Sequence, residues 1–240
     1  MARFHPTRPR SPIPAEPPRR LDTSLAELLK AETRALHSSA ERSVFLGELL
    51  GGRLSRLAYC AFLRNLHAVY TVLESSLDRH AQHPAIAPIF LPALWRRSAL
   101  ERDLLALHGA SWADELALQP ASAAYASRLH ALDAMQPELL VSHAYVRYLG
   151  DLSGGQMIRK IVAGSPTMAG AGAVAFYDFG DGVATEALTK AFRDGLGAIP
   201  IDHSRASALV AEAQLAFGLH QRLFSELAAA HGLAKQPEGD

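Results

Sequence analysis

The ten residues RYLGDLSGGQ, Arg147 to Gln156, set three glycines and one carboxylate inside a stretch whose flanks read as helix. An interior glycine weakens a helix by about 1 kcal/mol relative to alanine, so Gly150, Gly154 and Gly155 together forfeit roughly 3 kcal/mol of propensity. Bare backbone lets the main chain approach a flat or bulky ligand closely, and lets the helix bend to admit it. A neighbouring helix packed on small residues would explain one glycine; three around an acid point to a cofactor pocket. A carboxylate in an apolar helix is paired, exposed or functional, because burying it unpaired is costly. Asp151 is therefore the candidate pocket acid, able to hold or deliver a proton.

A metal ligand is the next requirement, and the eleven histidines offer more candidates than composition can sort. His67, His130, His203 and His220 read as solvated or hydrogen-bonded side chains. His37 differs because Glu41 follows one turn later on the same helical face. There a carboxylate can orient the imidazole, directly or through water, and leave the other ring nitrogen for a metal. The same spacing also describes an ordinary surface pair. Phe217 and Phe224, at helical spacing near the C-terminus, either wall a pocket or fill the core.

These residues need helices to position them, and the pattern supplies little else. Ser24-x-x-Glu27 forms a capping box ahead of Leu25, Leu28, Leu29 and Leu36, and alternating strand patterns are lacking. Turn signals at Gly51-Gly52, His83-Pro84, Gly109 to Trp112, Gln136-Pro137, Ser165-Pro166 and Gly180 to Gly182 predict seven or eight helices in one all-α domain over 22–232. Residues 164–182 read as a long connection, and no internal repeat is present. The first 21 residues, with six prolines among the first twenty and several arginines, read as a flexible arm. They lack the apolar run of a secretory signal, and their prolines oppose an amphipathic transit helix. Residues 233–240 read as a polar tail.

Lys and Arg number 24 and Asp and Glu number 24, so no charge bias favours nucleic acid. The single cysteine, Cys60, cannot form an internal disulfide and reads as a core residue in a reducing compartment, consistent with a cytoplasmic protein. No segment approaches the roughly 20 apolar residues of a membrane span, so no membrane anchor is expected.

The run RYLGDLSGGQ, extended to HAYVRYLGDLSGGQMIRK over 143–160, resembles the signature of the heme oxygenases. LKAETRALHSSAE at 29–41, HAVYTVLE at 67–74 and AEAQLAFGLHQRLFSEL at 211–227 resemble further segments in the family's order, and the likeness spans about Asp22 to Gly232. It implies a multi-helical fold in which heme b, both cofactor and substrate, is sandwiched between a proximal helix carrying His37 and a kinked distal helix. On that likeness His37 is the iron ligand and Glu41 its supporting carboxylate. Gly150, Gly154 and Gly155 bring distal backbone close to the heme. Asp151 holds a water network that directs oxygen to a meso carbon, Tyr70 and Arg147 extend that network, and Phe217 walls the pocket.

Lys30, Tyr145 and Arg193 correspond to the propionate contacts. One position departs from the pattern: four residues before Arg193, better-known members carry lysine, and here Thr189 stands beside Lys190. The implied reaction takes O2 and electrons from an external donor, a ferredoxin or flavoprotein reductase. It yields biliverdin (the α isomer if the heme is seated as usual), CO and ferrous iron, from a monomer or weak dimer without a membrane anchor. A heme carrier or sensor would also use His37 and the cations but would not require Asp151 in a glycine-rich helix. A ferritin-like di-iron bundle needs paired Glu-x-x-His motifs, which are missing. A helical scaffold or interaction protein would leave the glycine cluster without a cause.

Overall fold

A computed structural model of the chain describes residues 23–168 and 173–233; the arm expected at 1–21 and the tail from 234 onward lie outside these. Among the described residues there are nine α-helical segments and no strand, in a single helical domain. They are α1 (Leu25–Glu41), α2 (Val44–Leu50), α3 (Arg56–Arg79), α4 (Arg97–Leu107), α5 (Trp112–Glu115), α6 (Pro120–Met135), α7 (Leu140–Gly164), α8 (Gly182–Ala198) and α9 (His203–Ala230). The count exceeds the seven or eight expected because α2 and α5 are only 7 and 4 residues long, too short to show a period in sequence.

Helix starts follow local chemistry. The capping box is formed: the Glu27 amide donates to Ser24 Oγ at 3.3 Å, and Glu27 Oε2 accepts from the Ser24 amide at 3.2 Å. Ser43, Ser55, Asp181 and Asp202 cap α2, α3, α8 and α9 with their side-chain oxygens, and proline opens α6. Gly52 and Gly180 turn the chain with φ of +67° and +94°, values that glycine adopts without strain.

α7 is the central element. Every residue from Leu140 to Tyr148 is buried, against α3 and α6 on one side and α9 on the other, so a simple apolar stripe is absent from its sequence. It begins at Leu140 because Pro137–Leu139 forms a 3-10 turn, and it runs helical through all three glycines to Gly164. α1 packs on α9 and α8, so the two helices expected to face each other across a ligand are held through their shared neighbour α9. Buried polar contacts lock the interior. Glu212 of α9 accepts from Arg128 of α6 at 2.9 Å and lies 2.9 Å from His143 Nε2 of α7, whose Nδ1 is 3.0 Å from the Tyr125 hydroxyl.

The connection after α7 is pinned. Asp103 of α4 accepts from the amides of Ala175 and Phe176 at 2.9 and 2.8 Å. Arg96 donates to the Asp178 carbonyl at 2.9 Å and lies over the Phe179 ring at 4.0 Å. These contacts hold Phe176 and Tyr177 against α7.

One helix approaches neighbouring backbone closely enough to require glycine: a Cβ on Gly195 of α8 would stand 2.1 Å from the Pro88 carbonyl oxygen. Gly195→Ala should therefore destabilise the protein by about 1–3 kcal/mol, whereas Gly197→Ala, whose Cβ would meet nothing within 4 Å, should be neutral or stabilise it by up to about 1 kcal/mol. Denaturant midpoints of the two variants check this; equal midpoints would show that α8 can move away from Pro88.

Candidate active site

Between α1 and α7 lies a cleft with two joined chambers that share His37, Val146, Gly150, Ser153 and Phe217. The inner one, about 1220 Å³ with its open mouth, is lined among others by Glu41, Arg147, Asp151, Gly154, Tyr177 and His220. The outer one, about 850 Å³, is lined by Lys30, Thr33, Arg34, Tyr145 and Arg193. Such a space, apolar in its walls with polar groups at its ends, is the size and kind that takes a large planar ligand.

His37 projects from α1 into both chambers with its side chain half exposed (50 %). Its Nδ1 is 3.6 Å from Glu41 Oε2, close enough to orient the ring though just beyond hydrogen-bond length. Glu41 is its one polar partner among the described residues, which leaves Nε2 free toward the cleft. Phe217 meets the imidazole at 6.2 Å between centroids and 71° between planes, fixing it from the α9 side. No cluster of three or more His, Cys, Asp or Glu side chains that could hold a metal is present among the described residues. A single imidazole would suit an iron whose remaining protein-independent ligands a macrocycle supplies.

Opposite His37, α7 presents glycine. A Cβ on Gly150 would meet nothing within 4 Å, and one on Gly154 only Ile158 Cδ1 at 4.0 Å, so both positions leave empty space on the cleft side. Gly155 belongs elsewhere, and its expected contact with the ligand is corrected. It does not line the cleft, and its Cβ would press on Tyr177 Cδ1 at 3.3 Å, so its role is to let the pinned segment pack on α7.

Asp151 is buried (7 % exposed) and directly paired. The Tyr70 hydroxyl of α3 donates to Oδ2, and Arg147 Nη2 donates to Oδ1 at 2.8 Å. Arg147 also donates through Nε to the Tyr70 oxygen at 3.1 Å and through Nη1 to His220 Nε2 at 3.0 Å. Arg147 and Asp151 are i and i+4 on one helix, so the pair forms on the face that the sequence places toward the pocket. Burial pushes the Asp151 carboxyl well above the usual carboxylate range and draws the Arg147 guanidinium down. The acid is thus anchored by protein groups, with the cleft on its remaining side.

At the outer end Lys30, Arg34 and Arg193, all solvent-exposed, gather around Tyr145, whose hydroxyl lies 3.4 Å from Thr33 Oγ1. Burial raises the Tyr145 phenol, which stays a neutral donor. Lys190 does not take the place of the cation missing at Thr189: its Nζ is bound to Asp194 at 2.5 Å on the exposed face of α8, and Thr189 turns its hydroxyl back to the Thr185 carbonyl. The structure thus brings together His37, Glu41, Tyr145, Arg147, Gly150, Asp151, Gly154, Lys30, Arg193 and Phe217, with Tyr70 behind them and Phe224 in the inner wall.

Sequence reasoning passed over Arg34, His220, Phe176 and Tyr177. Arg34 lies one turn after Lys30, a spacing that could have revealed it. His220, which the sequence reads as solvated or hydrogen-bonded, is the latter, and only its three-residue distance from Phe217 hints at the cleft.

Comparisons with known proteins agree with this geometry. A family model described as heme oxygenase matches residues 23–226. The heme oxygenase of Rhodella violacea is 37% identical over 206 residues, covering 86% of this chain and 88% of that protein. Human heme oxygenase 1 is 33% identical, covering 88% and 74%. The crystal structure of heme oxygenase-1 from the cyanobacterium Synechocystis in complex with heme superposes with a TM-score of 0.80 at 35% identity, over 88% of this chain and 96% of that one. The heme oxygenase of Leptospira interrogans superposes with a TM-score of 0.79 at 32% identity, over 85% and 100%. By sequence and by fold, the chain belongs to the heme oxygenase family.

Proposed function

We propose that the cleft would hold one heme between α1 and α7, with His37 as the residue that binds its iron, and that the protein cleaves the ring to biliverdin, CO and ferrous iron. The observation that carries this reading is the pairing of a lone imidazole on one wall with open glycine, at Gly150, on the other. Heme supplies the redox iron and is also the substrate that is consumed.

The remaining work falls to the chain's own residues. Glu41 orients His37 and raises its donor strength. Lys30, Arg34, Arg193 and the Tyr145 hydroxyl hold the two propionates at the outer mouth, through charge-assisted bonds that contribute about 1.5–3 kcal/mol each. Gly150 and Gly154, with no side chain on the cleft side, would let the α7 backbone approach the heme closely and steer oxygen. Asp151, fixed by Tyr70 and Arg147, orients water over the reacting edge and passes protons from it, so that oxygen is delivered to a meso carbon. Electrons come from an external donor, which the family resemblance implies is a ferredoxin or a flavoprotein reductase. No helix among the described residues is long and apolar enough to cross a membrane. We place the reaction in the cytoplasm, consistent with the lone cysteine, in a monomer or weak dimer.

His37→Ala should remove the axial nitrogen, weaken heme binding and abolish turnover in folded protein, with partial recovery on adding imidazole. Absorption spectra during reduction under oxygen check it, and a variant that still degrades heme normally would move the ligand elsewhere.

Asp151→Ala should retain heme but lower the yield of biliverdin by about 100-fold, because the water network loses its anchor. Quantifying biliverdin against consumed heme tests this; an unchanged yield removes Asp151 from the chemistry.

Seating by the outer cations should present the α-meso carbon. Chromatography of the biliverdin isomers from wild type and Arg193→Ala is the check: mainly α from the wild type, with a rise in other isomers from the variant. A mainly β or δ wild-type product would show that Thr189 has let the heme rotate.

A further inference from the structure

His220 of α9 is 3 % exposed and borders the inner chamber, yet no step above uses it. Its Nε2 lies 3.0 Å from Arg147 Nη1. A guanidinium carries only donors, so Nε2 must offer its lone pair, and the single ring proton of a neutral imidazole then sits on Nδ1. Nδ1 is buried without a hydrogen-bond partner, and the ring meets Tyr125 in a T-shaped contact at 5.2 Å and 75°. An N–H can be tolerated beside an aromatic ring. The opposite tautomer would set two donors head to head at Nε2 and leave a bare lone pair buried at Nδ1. An imidazolium would do worse, placing a second cation against Arg147.

We propose that His220 is a positioning residue for heme cleavage: as the neutral Nδ1–H tautomer it accepts from Arg147, and so fixes the guanidinium that, with Tyr70, aims Asp151 into the cleft. This rests on the heme-cleaving reading of the site. The groups around His220 all work in that direction. Arg147 and His143 face it from α7 and Tyr125 from α6, while on its own helix Phe224 lies beside it and Glu212 is committed to Arg128 and His143. Asp151 is likewise held by Arg147 and Tyr70, so no free carboxylate is left to receive a proton from an imidazolium. Burial above all, then Arg147 and His143, holds His220 well below the ordinary histidine value. The clamp therefore survives mild acid and opens only when His220 is finally protonated.

Nitrogen-15 NMR of the histidine side chains in the heme-free full chain should show His220 protonated at Nδ1, bare at Nε2, and untitrated through about pH 6.5. An Nε2–H ring, or an imidazolium near neutral pH, would overturn the proposal. His220→Leu should lower kcat for heme cleavage by about tenfold or more through misplacement of the acid, with heme affinity little changed, and His220→Gln, whose amide oxygen can accept, should recover most of the loss. A folded His220→Leu with wild-type kcat, or a Gln variant as slow as Leu, refutes it. Should the Leu variant not fold, the tautomer and the Gln variant decide. If the wild type itself cleaves no heme, the functional reading fails while the tautomer measurement still reports on the clamp.

Discussion

A buried guanidinium organises this molecule. Removing an arginine from water is tolerable only if its donors are answered, and an unanswered one would destabilise the fold by several kcal/mol. Arg147 is answered from three helices at once: by Tyr70 on α3, Asp151 on its own α7 and His220 on α9. The charge thus sets the relative placement of the helices that form the distal wall. It also explains why an acid can sit deep in an apolar cleft, since Asp151 accepts hydrogen bonds from Arg147 and Tyr70 there. Fold and chemistry draw on one interaction, so neither residue can be altered for one purpose alone.

The proximal wall is built on the opposite plan. His37 and Glu41 are both about half exposed, at 50 % and 57 %, and are held by helix α1, by Phe217 and by each other. An imidazole that must bind a large incoming ligand gains from access, whereas a proton-handling carboxylate gains from a fixed, dry setting in which hydrogen bonds are strong. The cleft therefore has one wet wall and one dry wall, and α9, on which both α1 and α7 pack, joins them.

Much of this was legible in the sequence because it is local. The Ser24 capping box, the His37–Glu41 spacing and the Arg147–Asp151 spacing each lie within four residues, and helical geometry alone converts them into contacts. The glycine run was legible as a pocket, yet Gly150 and Gly155 differ by five residues and face different neighbours, a distinction that needs the surrounding helices. What stayed hidden is what depends on distant chain. His220 meets Arg147 across 73 residues, and Asp103 reaches the amides of Ala175 and Phe176 across 72 and 73. No periodicity encodes such pairings. The stretch 164–182 read as a long connection for the same reason, since the contacts that hold Ala175 to Phe179 come from α4 and Arg96.

The empty space beside Gly150 has a thermodynamic consequence. In most helices a glycine with nothing near its Cβ is a missed opportunity, because alanine would fit and add about 1 kcal/mol of stability. Here the vacancy faces the cleft, so the ligand-free protein stands below the stability its own backbone could reach. A molecule that fills the gap returns the deficit through mass action, binding the folded chain and not the unfolded one. Thermal resistance thus becomes a report on cleft occupancy: the folded population rises with supply of the substrate and falls as the substrate is destroyed, coupling the lifetime of the protein to the presence of its task.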